Sequence, residues 1–118
     1  MKRTFIQSEH FKTEMDSRPD GQEILKSVEE EILKNPESGD LVSGTGGVRK
    51  IRIADPSRGK GKRGGLRILY LDLPDRDHTH LLVAYDKDQA DDLSPDGKKM
   101  IRQIVLEIKR SKRWKKQA

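Results

Sequence analysis

Leu66–Leu73, reading Leu-Arg-Ile-Leu-Tyr-Leu-Asp-Leu, restricts the fold more than any other stretch of this chain. As a strand it puts Leu66, Ile68 and Tyr70 on one face and Arg67, Leu69 and Leu71 on the other. A strand that is apolar on both faces belongs at the centre of a sheet. Before it, Val48–Ala54 alternates: Ile51 and Ile53 share a face with Arg49, while Lys50 and Arg52 share the other. That pattern predicts a half-buried strand with a cationic outer face. After it, Pro74–Asp77 forms a polar turn and Thr79–Tyr85 a third strand, so the three make an antiparallel meander.

The remaining elements are helical apart from a short first strand, Thr4–Gln7. His10–Asp16 is weakly patterned, enough for one or two helical turns. Pro19-Asp20-Gly21 is a turn with Asp20 as a cap, and Gln22–Lys34 carries Ile24, Leu25, Val28 and Ile32 at helical spacing. Asn35-Pro36 ends that helix, because proline disfavours helix in the residue before it. Leu41-Val42 either begins a strand or anchors the next loop. Asp86–Asp92 is acidic and suits a short helical turn. Ser94 caps a last helix with Pro95 at its first position and an apolar stripe of Met100, Ile101, Ile104, Val105 and Ile108. The expected fold class is α+β: a small antiparallel sheet, the three-strand meander plus the N-terminal strand, packed with N-terminal helices and a C-terminal helix. At 118 residues a single domain over 1–118 is expected, with a basic tail at 111–118.

Charge is distributed unevenly. Residues 1–47 hold six Lys/Arg against ten Asp/Glu, and residues 48–118 hold nineteen against ten, giving the net +5. A basic half is the usual footprint of a phosphate-rich partner. The densest part is Gly59-Lys60-Gly61-Lys62-Arg63-Gly64-Gly65, flanked by Arg58 and Arg67 with no acid from Ser57 to Tyr70. Glycines there allow tight turns or close approach of backbone to a bulky anion. A solvated hairpin loop and a polyanion site both fit that composition. Aromatic residues are only 4%, which disfavours recognition by stacked aromatic platforms.

Other chemistries find less support. Cysteine is absent, which removes disulfides and thiolate metal sites and fits a cytoplasmic protein. His78 and His80 share a strand face without a third ligand in an obvious motif, so no metal or other cofactor is expected. Gly44-Thr45-Gly46-Gly47 lacks the spacing of a nucleotide-phosphate loop. No apolar run approaches the roughly 20 residues of a membrane span, and the first residues lack an apolar signal core. Metal-free RNA cleavage needs cations to neutralise the pentacoordinate phosphate and groups to move two protons. A lysine crowded by other cations has its pKa lowered and can take part. Lys60, Lys62, Arg63 and Arg67 suffice for the electrostatic part, although simple phosphate binding fits the composition equally well.

Asn35-Pro36, Gly39-Asp40, Gly44-Thr45-Gly46-Gly47-Val48-Arg49-Lys50-Ile51-Arg52, Gly59–Gly65 and Arg67-Ile68-Leu69-Tyr70 together resemble the HigB branch of the RelE/ParE toxin superfamily. The similarity runs from about residue 20 through Tyr85-Asp86-Lys87 and the last helix. It implies a compact RelE-like microbial RNase fold and the toxin of a type II toxin–antitoxin pair. Such a toxin enters the ribosomal A site and cuts messenger RNA, and a cognate helix-turn-helix-type antitoxin blocks it. The resemblance implies Lys60 as proton acceptor or stabiliser, Lys62 as phosphate stabiliser and Arg67 as the main transition-state clamp. Lys87 is the cation where the family carries a second arginine. Candidate RNA contacts are Arg49, Lys50, Arg52, Arg58, Arg63 and Tyr70.

The chain departs from the family at the catalytic tyrosine, whose position aligns near Leu93. Tyr70 and Tyr85 are the candidate replacements, although Tyr70 alternates with Ile68 as a core residue would. Two other functions fit less of the pattern. A ParE-like gyrase inhibitor would generally lack the Lys60, Lys62, Arg67 set, and a plain nucleic-acid-binding module explains the charge but not the motif string.

Overall fold

The computed structural model describes residues 3–55, 65–87 and 93–111. In chain order the elements are β1 (Thr4–Gln7), α1 (Glu9–Asp16), α2 (Gly21–Lys34), β2 (Asp40–Leu41), β3 (Arg49–Ile53), β4 (Leu66–Leu73), a 3-10 turn (Pro74–Arg76), β5 (His78–Asp86) and α3 (Pro95–Arg110). The strands form one sheet in the order β1-β5-β4-β3-β2, so the apolar β4 is indeed central. The fold class is α+β, with two differences from the sequence reading. The sheet is mixed, because β1 runs parallel to β5. A parallel neighbour requires a long crossover, and the α1–α2 segment with the strands that follow supplies it. The sheet also has a fifth strand: Leu41 begins no extended run, but Asp40–Leu41 pairs antiparallel with Arg49–Lys50.

Each face of the sheet has its own cover. On one, Phe11 and Met15 of α1 and Ile24, Val28 and Ile32 of α2 pack on Ile51, Ile53, Leu66, Ile68, Tyr70 and Leu81. On the other, Ile101, Val105 and Ile108 of α3 pack on Val48, Leu69, Leu71 and Leu82. Full burial of such a side chain contributes about 1.5–3 kcal/mol, so both layers hold the sheet. The β4–β5 pairing carries a register shift between Leu69 and Tyr70, opposite Leu81–Val83, as a β-bulge would produce.

The α3 contact is narrower than its apolar stripe suggested. Met100 is 69% exposed and Ile104 40%. Both lie on the flank of the helix turned away from the buried Ile101–Val105–Ile108 line. The helix is fixed at its ends. Ser94 Oγ accepts from the Gly97 N–H at 3.0 Å, while Arg76 donates to the Ile108 and Lys109 carbonyls at 2.9 and 2.7 Å. The cation at the C-terminal carbonyls also complements the helix dipole. Asp20 sits at the N-cap of α2 but its side chain makes no capping hydrogen bond. In the turn before β3, buried Thr45 donates to the Val42 carbonyl and accepts from the Val48 N–H. Lys109 Nζ donates to the Gly46 carbonyl at 3.0 Å, tying the turn to α3.

Among the described residues, no helix is long and apolar enough to cross a membrane. Of the helical turn expected at Asp86–Asp92, Asp86 instead ends β5, while 88–92, like the basic tail beyond 111, lie outside the described residues.

Candidate nucleic-acid interface

α3 packs on its sheet face at Val48, Leu69, Leu71 and Leu82, and towards the other end of β4 the same face carries polar side chains. Register places Arg52 of β3, Arg67 of β4 and Tyr85 of β5 in one row across three strands. The row beside it holds Lys50, Leu69 and Val83. Alternation turns Lys50, Arg52, Arg67 and Tyr85 to the α3 face, as expected for the cationic face of β3.

Directly opposed like charges destabilise a strand pair. Arg52 and Arg67 are such a pair, and Arg67 is only 4% exposed. An anion between them would relieve that opposition, since arginine can donate to two oxygens at once.

A cleft of about 320 Å³ opens between this part of the sheet and the start of α3. Lys50, Arg52, Tyr85 and Lys98 give it polar walls, and Leu69 and Leu93 give it an apolar floor. Asp40 and Leu41 form its rim on the β2 side. Lys98 was not among the residues expected from sequence. The Ser94-Pro95 cap starts α3 so that Lys98 in its first turns shares the cleft lining with Tyr85.

The basic segment joins the sheet at the same end. Its last residue, Gly65, is a required glycine: a Cβ there would collide with the Ile53 carbonyl across the hairpin. The Lys87 N–H donates to the Gly65 carbonyl at 3.3 Å, continuing the β4–β5 pairing past Leu66–Asp86. Lys87 therefore sits beside the point where the basic segment enters β4. Arg58, Lys60, Lys62 and Arg63 lie outside the described residues.

Two expected RNA contacts are placed elsewhere. Tyr70 is fully buried in the α1–α2 layer. Its hydroxyl donates to the Pro36 carbonyl at 2.7 Å and accepts from the Gly39 N–H at 3.0 Å. Burial raises its pKa, against the opposing influence of the Gly39 and Ser38 hydrogen bonds and of Arg49. Arg49, its register partner, donates to the Glu37 and Gly39 carbonyls at 3.2 and 2.8 Å. Tyr70 and Arg49 thus hold the loop after α2, on the face of the sheet opposite Arg67. Of the two candidate tyrosines, only Tyr85 adjoins the arginine row.

His78 and His80 lie at the far end of β5, with ring centroids 6.1 Å apart. Burial, then the fields of His78 and Arg76, lowers the His80 pKa to about 4. Among the described residues, no three His, Asp or Glu side chains are grouped to hold a metal ion.

No family model matches the sequence.

Proposed function

We propose that this chain is a RelE/HigB-like toxin, an endoribonuclease that cuts messenger RNA in the ribosomal A site and so stops translation. The observation that carries the reading is the Arg52–Arg67–Tyr85 row, flanked by Lys50 and Lys87, at the end of the sheet where the basic segment attaches. Two arginines and a phenol at neighbouring register positions on paired strands support a phosphate-holding role. The resemblance in the motif string supplies the target.

In the proposed reaction the ribose 2′-oxygen attacks its own phosphorus and the bond to the next 5′-oxygen breaks. The products are a 2′,3′-cyclic phosphate and a 5′-hydroxyl. Arg67, with Arg52, holds the non-bridging oxygens as negative charge builds on them. Lys60 or Tyr85 takes the 2′-OH proton, Lys62 and Arg63 stabilise the phosphate, and Lys87 serves the leaving oxygen. Rigid platforms of this kind act by fixing donors where charge develops. No cofactor is needed for this chemistry. A helix-turn-helix-type antitoxin covering the cationic cleft would silence it, and the working compartment would be the cytoplasm.

Controlled expression tests the reading. Growth arrest with rapid loss of protein synthesis and new message ends within reading frames is expected, relieved by the cognate antitoxin. Arrest with intact messages and broken or relaxed chromosomal DNA would instead favour the gyrase-inhibitor reading.

A further inference from the structure

The β2 strand is only two residues long, and this leaves part of the β3 edge uncovered. Asp40 pairs with Lys50 and Leu41 with Arg49, and the Val42 N–H donates to the Val48 carbonyl. That bond sets the alternation: Val48, Lys50 and Arg52 direct their backbone groups away from β4. Among the described residues, no strand meets Arg52 on that side.

Two clefts meet at this edge from opposite faces of the sheet. The first is the 320 Å³ cleft under α3. The second, about 290 Å³, lies on the α2 face and is lined by Glu31, Ser38, Asp40, Lys50, Ile51 and Arg52. Asp40, Lys50 and Arg52 border both. Their charge differs. Among the described residues, the first combines Lys50, Arg52 and Lys98 with the one carboxylate of Asp40. The second sets Glu31 and Asp40 against Lys50 and Arg52, so it is close to neutral.

We propose that a single RNA strand crosses the sheet edge at Arg52, with backbone phosphate in the first cleft and the base of an adjacent nucleotide in the second, read by Glu31 and Asp40. The proposal rests on the RNA reading of the cleft given above. Phosphate is favoured where cations are in excess and disfavoured beside two carboxylates. Carboxylates accept hydrogen bonds from the exocyclic amino groups of cytosine, adenine or guanine, and uracil has none to offer. Each cleft is at the lower end of the roughly 300–1,000 Å³ range of ligand sites, the scale of a nucleotide fragment rather than a folded partner. An acidic peptide strand would meet repulsion from Glu31 and Asp40. The second cleft is therefore a specificity site that selects amino-bearing bases over uracil.

Binding of 2′-fluoro tetranucleotides, which lack the attacking hydroxyl, tests this on the full chain by fluorescence anisotropy. Oligo-C and oligo-A are expected to bind about tenfold more tightly than oligo-U. Glu31→Ala should erase that preference while keeping the affinity for oligo-U, and Asp40→Ala should erase it while raising the affinity for all three, because Asp40 also borders the phosphate cleft, with Glu31→Gln as a milder variant and thermal melts as the folding control. Lys98→Ala should weaken all three alike and reduce the salt slope by about 0.7, the loss of one single-strand phosphate contact. Equal affinity for the three oligonucleotides, or a preference untouched by both carboxylate variants, overturns the proposal. So does tighter binding of an acidic peptide than of any oligonucleotide. A base preference without ribosomal cleavage would remove the nuclease reading and leave this site standing. Ribosomal cleavage with no base preference would do the reverse.

Discussion

Arg67 and Tyr85 are direct register partners across β4 and β5, and Arg52 stands on the other side of Arg67. A guanidinium and a phenol are thereby fixed at neighbouring positions on two paired strands, where packing rather than loop motion sets their separation. Arg67→Ala is expected to lower message cleavage by at least about 100-fold, the scale of losing one donor to a developing oxyanion. Arg67→Lys should recover only part of it, because an ammonium cannot hold two oxygens in a planar fork. Thermal melts of both variants, run beside the cleavage assay, separate lost chemistry from lost folding.

The two tyrosines should behave differently. Tyr70→Phe removes the hydroxyl that donates to Pro36 and accepts from Gly39, leaving both backbone groups without that partner. A loss of about 1–3 kcal/mol of stability is expected, with the specific activity of the folded fraction unchanged. Tyr85→Phe should cut the rate and leave the melting curve close to wild type. Urea titrations with single-turnover cleavage resolve the pair.

Arg76 links the β4–β5 turn to the last two carbonyls of α3. Arg76→Ala is expected to cost about 1–2 kcal/mol through the lost cap and the lost charge at the helix C-terminus. Because α3 also carries Lys98 and walls the cleft, RNA affinity should fall with it. Hydrogen exchange across residues 105–110 is the direct readout, with faster exchange expected in the variant.

His80 makes stability depend on pH. Its folded pKa of about 4 lies below the ordinary value of 6.5, so the unfolded chain binds more protons between those limits. Its contribution is complete above pH 6.5, falls as the pH is lowered towards 4, and changes no further below that. The shift corresponds to roughly 3 kcal/mol. Urea unfolding at successive pH values should show that slope in the wild type and a shallower one in His80→Gln.

Much of the fold was readable because its signals are local. Alternation in 49–53 and 66–73, the Ser94-Pro95 start and the Asn35-Pro36 stop each depend on a few neighbouring residues. The parallel pairing of β1 with β5 was not readable, since strand direction depends on a crossover and leaves no mark in Thr4–Gln7. The exposure of Met100 and Ile104 shows a related limit. Helical spacing identifies an apolar side, but how wide a contact the sheet offers depends on residues far away in sequence. At the site, alternation correctly set Arg52 and Arg67 apart from Ile51 and Ile68. It said nothing about which residues of the last helix would approach them, so Lys98 was missed. Tyr70 was assigned to RNA and to the core at once, and its hydrogen bonds to the loop after α2 place it in the core.

The most direct test is to add purified protein to translating ribosomes and map the ends of the message, with Arg67→Ala alongside. The account predicts new cuts in the A-site codon, bearing a 2′,3′-cyclic phosphate and a 5′-hydroxyl, that disappear with folded Arg67→Ala. Uncut messages, or cuts of equal yield from the folded variant, would contradict it.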